Sequence, residues 1–118
     1  MEEIRFVKTQ NPKAKPKDNE LGFGKYYTDH MFVMDYAEGK GWYDPRIVPY
    51  GPFEVEPATM VFHYGQTVFE GVKAYLNQHG EPVSFRPSAN IKRLNRSAER
   101  LCIPQLDEGL VWRGLKKL

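Results

Sequence analysis

Two stretches of this chain hold residue types that could do chemistry together. The first is basic. Lys92, Arg93, Arg96 and Arg100 lie within one short run. At ~100° per helical residue they fan over roughly a third of the circumference, bordered only by Glu99. Such a fan attracts phosphate or carboxylate, and a guanidinium can grip either with two hydrogen bonds. Charge alone reads it as a solvated helix face, with an anion site as the sharper alternative. The second stretch is His63-Tyr-Gly-Gln-Thr-Val-Phe-Glu-Gly-Val-Lys-Ala-Tyr75. Its glycines bracket a turn with Tyr64 and Phe69, followed by a strand position for Lys73. A hydroxyl, a ring and an ammonium could line an amphipathic pocket. Equally, Phe69 could be core, Tyr64 packed and Lys73 solvated.

Other chemistries find little support. No Gly-rich diphosphate loop is present, and Gly22-Phe-Gly-Lys25 lacks the spacing for one. His30, His63 and His79 are far apart with no partner at helical spacing, so no metal site is assigned. There is no nucleophile elbow. The basic fan has no Phe, Tyr or Trp among it, unlike nucleic-acid surfaces that stack bases.

These groups need elements to hold them. Met31–Tyr36 reads as a strand and Ala37–Gly41 as a turn. Trp42–Tyr50 returns, with Pro45 and Pro49 marking it as an edge strand or an interrupted ladder. His63–Glu70 could form a short helix ended by Gly71. Val72–Leu76 and Pro82–Arg86 alternate around an Asn77–Gly80 turn, as in a hairpin. After Pro87 the period becomes 3.6: Ile91, Leu94, Ala98 and Leu101 make one apolar stripe, expected to face a sheet. Pro104 stops that helix. Another starts near Asp107 despite Gly109 and Gly114, each costing about 1 kcal/mol relative to Ala. The expected fold is α+β: an antiparallel sheet with helices packed on one side. Residues 1–20 read as a flexible Lys/Pro-rich arm, and 21–118 as one small domain.

At 118 residues the chain has room for one domain, which could bury about two thirds of its unfolded surface. Its net charge of +2 gives no case for nucleic acid. Residues 1–85 carry 9 Lys and Arg against 12 Asp and Glu; residues 86–118 carry 8 against 3. The single cysteine, Cys102, excludes a disulfide framework. With no leader-like start and no apolar run near ~18 residues, the expected setting is a reducing cytoplasm, not a membrane.

Several motifs in order then carry a resemblance. They are Phe23-Gly-Lys with Thr28-Asp-His-Met31; His63-Tyr-Gly with Val68-Phe-Glu-Gly-Val-Lys-Ala-Tyr75; Phe85-Arg-Pro with Asn90-Ile-Lys-Arg-Leu94; and Arg96-Ser-Ala with Arg100-Leu-Cys-Ile-Pro104. Over about residues 21–110 the chain resembles the branched-chain amino-acid aminotransferases, of the fold-type IV pyridoxal-phosphate (PLP) enzymes. The resemblance implies a homodimer of two-domain subunits with PLP between the domains. It implies that Arg93 binds the cofactor phosphate and that Phe23, Tyr64 and Phe69 line a pocket for a branched side chain. Lys73 matches a basic strand position near that pocket. The implied reaction moves an amino group between Leu, Ile or Val and 2-oxoglutarate.

The resemblance also implies a lysine that engages the cofactor's aldehyde and moves the α-proton. None of the ten lysines here matches it. The chain therefore reads as the small N-terminal domain without its large partner, inactive alone and with no catalytic residue of its own. The alternative is a non-catalytic interaction or dimerisation module derived from the same fold.

Overall fold

The computed structural model describes residues 3–118. They form two compact units. The first runs to Phe53 and takes back Gly114–Leu118; the second spans Glu54–Arg113. The class is α+β, as expected.

In the first unit, β1 (Arg5–Phe6), β2 (His30–Ala37) and β3 (Gly41–Pro49) form a sheet in the order β1-β3-β2. β2 and β3 are antiparallel, whereas β1 runs parallel to β3. The sheet is thus mixed. The β2–β3 turn uses Gly39 and Gly41 at φ 79° and 81°, a conformation that side chains resist.

β3 is the central strand, so of the two readings its prolines allowed the interrupted ladder holds and the edge position does not. Val33 pairs with Arg46 and Asp35 with Tyr43, so Met34 faces both Asp44 and Pro45. This is a β-bulge, and Asp44 stands in the left-handed region at φ 50°. Pro45 lies where the ladder is already interrupted, so its missing N–H costs little. Pro49 merely ends the strand. Asp44 also receives Arg5 at 3.3 Å and Arg46 at 3.1 Å, while Arg46 reaches Asp35 at 2.7 Å. That hydrogen bond to Asp35 is the main reason the Arg46 pKa is raised.

Ile47 is fully buried and Ile4 nearly so. The Lys/Pro-rich arm is tied at several points: Val7 N–H donates to Ile47 O at 2.8 Å, Thr9 N–H to His30 Nε2 at 2.9 Å, and Lys13 N–H to Asp29 Oδ1 at 2.9 Å.

The second unit begins with α1 (Met60–His63), a single turn. The helix expected at 63–70 is therefore displaced: it ends at His63, and Gly65 at φ 60° redirects the chain. A two-residue ladder follows, β4 (Tyr75–Leu76) with β5 (Pro82–Val83). It is shorter than the alternation suggested, and all four residues are exposed.

α2 (Pro87–Arg100) starts on a proline, which its first turn tolerates. It ends with Cys102 N–H on Glu99 O and Ile103 N–H on Ala98 O, with Cys102 at φ 54°. This is a Schellman ending with cysteine where glycine is usual. Ile91 and Ala98 are buried, Leu94 is half-buried, and Leu101, beyond the last helical residue, is exposed. The buried members of the stripe lie in this unit, whose own β4–β5 ladder is exposed. Buried Asn95 shares the face, accepting from Leu106 N at 2.8 Å and donating to Leu106 O at 2.9 Å. α3 (Glu108–Lys117) is capped by Asp107, whose Oδ1 accepts from Leu110 N–H. Its residues Leu110 and Val111 complete the core of this unit.

Gly114 sits in α3 for a reason the sequence hides. A Cβ there would lie 2.8 Å from the Phe32 ring.

Candidate functional site

Residues 66–71 follow α1 as extended chain. Gln66, Val68 and Glu70 are half-buried, while Thr67, Phe69 and Gly71 are exposed, the two-residue alternation of an extended segment. The segment is fastened to α2 at both ends. Gln66 Nε2 donates to Leu101 O at 2.8 Å. At the other end Asn90 Nδ2 donates to Gly71 O at 2.9 Å and to Glu70 Oε1 at 3.2 Å.

Arg93 stands three residues after Asn90, on the same face of α2. Its Nε donates to Glu70 Oε2 at 2.6 Å, and its Nη2 donates to Glu70 Oε1. Both carboxylate oxygens thus meet one edge of the guanidinium. The Gly71 N–H adds a further bond to Oε1 at 3.0 Å. Glu70 keeps only 9% of its side-chain surface exposed, against 59% for Arg93. The Arg93 hydrogen bond is the chief cause that holds the Glu70 pKa down at about 2, and Glu70 in turn raises that of Arg93.

A guanidinium has five N–H donors. Glu70 takes two here, so the Nη1 edge and the remaining Nη2 hydrogen stay available. That edge suits two oxygens of a phosphate monoester. The residue expected to hold the PLP phosphate is therefore chemically fit for that end of the cofactor.

The other expected residues fall as follows. Tyr64 and Phe69 belong to the same unit as Arg93 and project into solvent, at 79% and 93% exposure. Phe69 is the neighbour of Glu70 and alternates away from it. Lys73 is exposed and lies ahead of the β4–β5 ladder; its carbonyl accepts from Ser84 Oγ at 2.8 Å. Phe23 belongs to the first unit, fully exposed between Gly22 at φ 62° and Gly24 at φ 64°. The first unit also holds an open cleft of about 730 Å³, lined by Lys13, Lys25, Tyr26, Tyr27 and Asp29 among others; none of the five expected residues lines it. Among the described residues no cluster of three or more His, Cys, Asp or Glu could hold a metal ion, and no helix is long and apolar enough to cross a membrane.

Sequence reasoning missed Glu70 and Asn90. Both stand inside the motifs quoted above. An arginine seeking a counter-charge was the available signal, but the acid lies 23 positions away, beyond any helical spacing.

No protein-family model matches the chain. Curated relatives do. Branched-chain-amino-acid aminotransferase 2 of Bacillus subtilis (strain 168) is 59% identical over 115 residues, covering 98% of this chain and 32% of the relative. Branched-chain-amino-acid transaminase 1 of the same organism is 58% identical over the same shares. The branched-chain-amino-acid aminotransferase of Mycobacterium tuberculosis is 54% identical over 99 residues, 84% of this chain and 27% of the relative. The chain thus spans about a third of the length of these relatives. Similarity this high along nearly every residue, with the Phe-Glu-Gly segment clamped onto α2 as described, places the chain in the branched-chain amino-acid aminotransferase family.

Proposed function

We propose that this chain is the N-terminal, phosphate-gripping portion of a PLP-dependent branched-chain amino-acid aminotransferase. The observation that carries the proposal is 59% identity along 98% of the chain to a relative named for that activity. Arg93 supports it, as an oriented guanidinium with its outer edge available. The substrates would be Leu, Ile or Val with 2-oxoglutarate, in a homodimeric cytoplasmic enzyme whose larger domain supplies the aldehyde-binding lysine.

In that reading PLP, when bound, supplies an electron sink for the amino acid's α-carbon. The residues of this chain bind and shape. Arg93 holds the phosphate. The rings of Phe69 and Tyr64, in the same unit as Arg93, offer walls for a branched side chain, worth roughly 1.5–3 kcal/mol if it is fully buried, and Phe23 is given the same role by the resemblance alone. The Tyr64 hydroxyl can pair with a polar neighbour while its ring packs. Lys73 contributes positive charge beside an anionic substrate.

The test has two parts. The 118-residue chain, incubated with PLP and reduced with borohydride, should yield no single stoichiometric pyridoxyl-lysine on peptide mapping and no transaminase turnover. Arg93→Ala should leave the fold intact and abolish saturable binding of pyridoxamine phosphate. Specific labelling with turnover would refute the incomplete-enzyme reading; unchanged binding in the variant would refute the phosphate assignment.

The exposed apolar side chains of residues 55–85 favour a second reading, an interaction module that has lost catalysis: Phe62, Phe69, Tyr75, Leu76 and Phe85 are all exposed. The genomic frame after codon 118 separates the two. A continuing frame with a lysine-bearing domain means enzyme, and a stop means module.

A further inference from the structure

Glu70 has no role in anything said so far beyond its contacts, and those contacts are unusual for a surface glutamate. Its two oxygens receive four N–H groups, from Arg93 Nε, Arg93 Nη2, Asn90 Nδ2 and Gly71 N. It is largely buried, while the arginine it pairs with is mainly exposed. A simple surface ion pair would leave both side chains mobile. Here the carboxylate is the fixed member. The backbone of Gly71 and the amide of Asn90 immobilise it, and the guanidinium is laid against it along one defined edge.

This geometry has two consequences. First, the Arg93 plane cannot rotate without breaking two charge-assisted bonds, so its unused edge faces one direction before any anion arrives. Binding then costs less side-chain ordering. Second, the same carboxylate anchors the extended segment to α2, and Phe69 is the adjacent residue. Because successive side chains alternate, an inward Glu70 requires an outward Phe69.

We propose that Glu70, braced by Asn90, is a positioning residue: it presets the Arg93 guanidinium for a phosphate monoester and in the same stroke fixes the direction of Phe69. This inference rests on the reading of Arg93 as a phosphate ligand. Charge and geometry predict opposite outcomes, which makes it testable. Removing the Glu70 negative charge should strengthen phosphate binding if electrostatics alone mattered. It should weaken binding if Glu70 acts by holding Arg93 in place, since a glutamine would set an NH₂ group against one of the guanidinium donors.

The experiment uses the 118-residue chain and pyridoxamine phosphate, which has no aldehyde to react with the lysines. In the wild-type chain the Arg93 Nε–Hε NMR signal should be resolved and slow to exchange with water before ligand is added. Glu70→Gln should weaken pyridoxamine phosphate about tenfold, the effect of losing a charge-assisted hydrogen bond, with the backbone spectrum otherwise retained. Arg93→Ala should abolish binding.

Binding by Glu70→Gln equal to or tighter than wild type, with Arg93→Ala still defective, overturns the positioning role and leaves the phosphate reading standing. Arg93→Ala binding as well as wild type overturns both. If Glu70→Gln does not fold, the wild-type signal decides: an Arg93 Hε exchanging like that of a free arginine overturns the proposal.

Discussion

At the scale of single residues, the Glu70–Arg93 pair is where physics speaks most directly. Glu70 has its pKa lowered from 4.5 to about 2, mainly by the Arg93 hydrogen bond. A depressed carboxylate stabilises the folded chain fully above its unfolded value and less as pH falls through the folded one. The pair should therefore contribute uniformly above pH 4.5 and lose its contribution between there and about pH 2. Urea unfolding across that window should show a declining gap between wild type and Glu70→Gln; a gap constant down to pH 2 would contradict the pairing. As candidates, Arg93, Tyr64, Phe69, Phe23 and Lys73 were nominated from the order of motifs in the chain. Glu70 and Asn90 were not, because their importance arises only when an extended segment lies across a helix. Residue types advertise charge, and only the tertiary path shows which charge has already been claimed.

At the scale of elements, three substitutions report on how α2 and α3 are built. Cys102 sits in the left-handed region at the Schellman end of α2. Cys102→Gly should stabilise the chain by about 0.5–1 kcal/mol, read from the urea midpoint, because glycine adopts that conformation without steric cost. Asn95→Ala removes both partners of the Leu106 backbone from a buried position. It should cost about 1–3 kcal/mol by the same measurement. Gly114→Ala would gain about 1 kcal/mol by helix propensity alone. Its new methyl would meet the Phe32 ring at 2.8 Å, so net destabilisation is expected. Both helices, the β2–β3 pair and the hairpin were legible from periodicity and turn residues. What was not legible was rank within the sheet, because Pro45 fits an edge strand and an interrupted ladder equally until the bulge is known. The short helix was misplaced for a related reason: Gly65, inside the assigned stretch, ends a helix as readily as Gly71.

At the scale of the whole molecule, the buried apolar residues among those described are few: Ile4 and Ile47 in one unit, Ile91, Ala98, Leu110 and Val111 in the other. Many large apolar side chains remain exposed, Phe23, Phe53, Phe62 and Phe85 among them. A chain of this kind should bind a hydrophobic dye such as ANS in its native state, and self-association should rise with concentration in sedimentation experiments. A chain that binds no dye would argue that these side chains are covered. Composition foresaw none of this. A 41% apolar content supports a core for 118 residues, but it does not say how much of that content turns inward.

The bulge at Asp44 makes strand parity in β3 adjustable by one residue. Phe32 pairs with Ile47 and Tyr36 with Trp42. Phe32 and Tyr36 are four apart on β2, so Trp42 shares a side of the sheet with Ile47 even though an odd number of positions separates them along β3. Deleting Asp44 would leave Trp42 and Ile47 four positions apart, so plain alternation without the bulge would keep both on that one side. Unchanged indole fluorescence in such a deletion would show that the extra residue serves the local bend alone, whereas a shifted spectrum would show that it also sets where the ring lies.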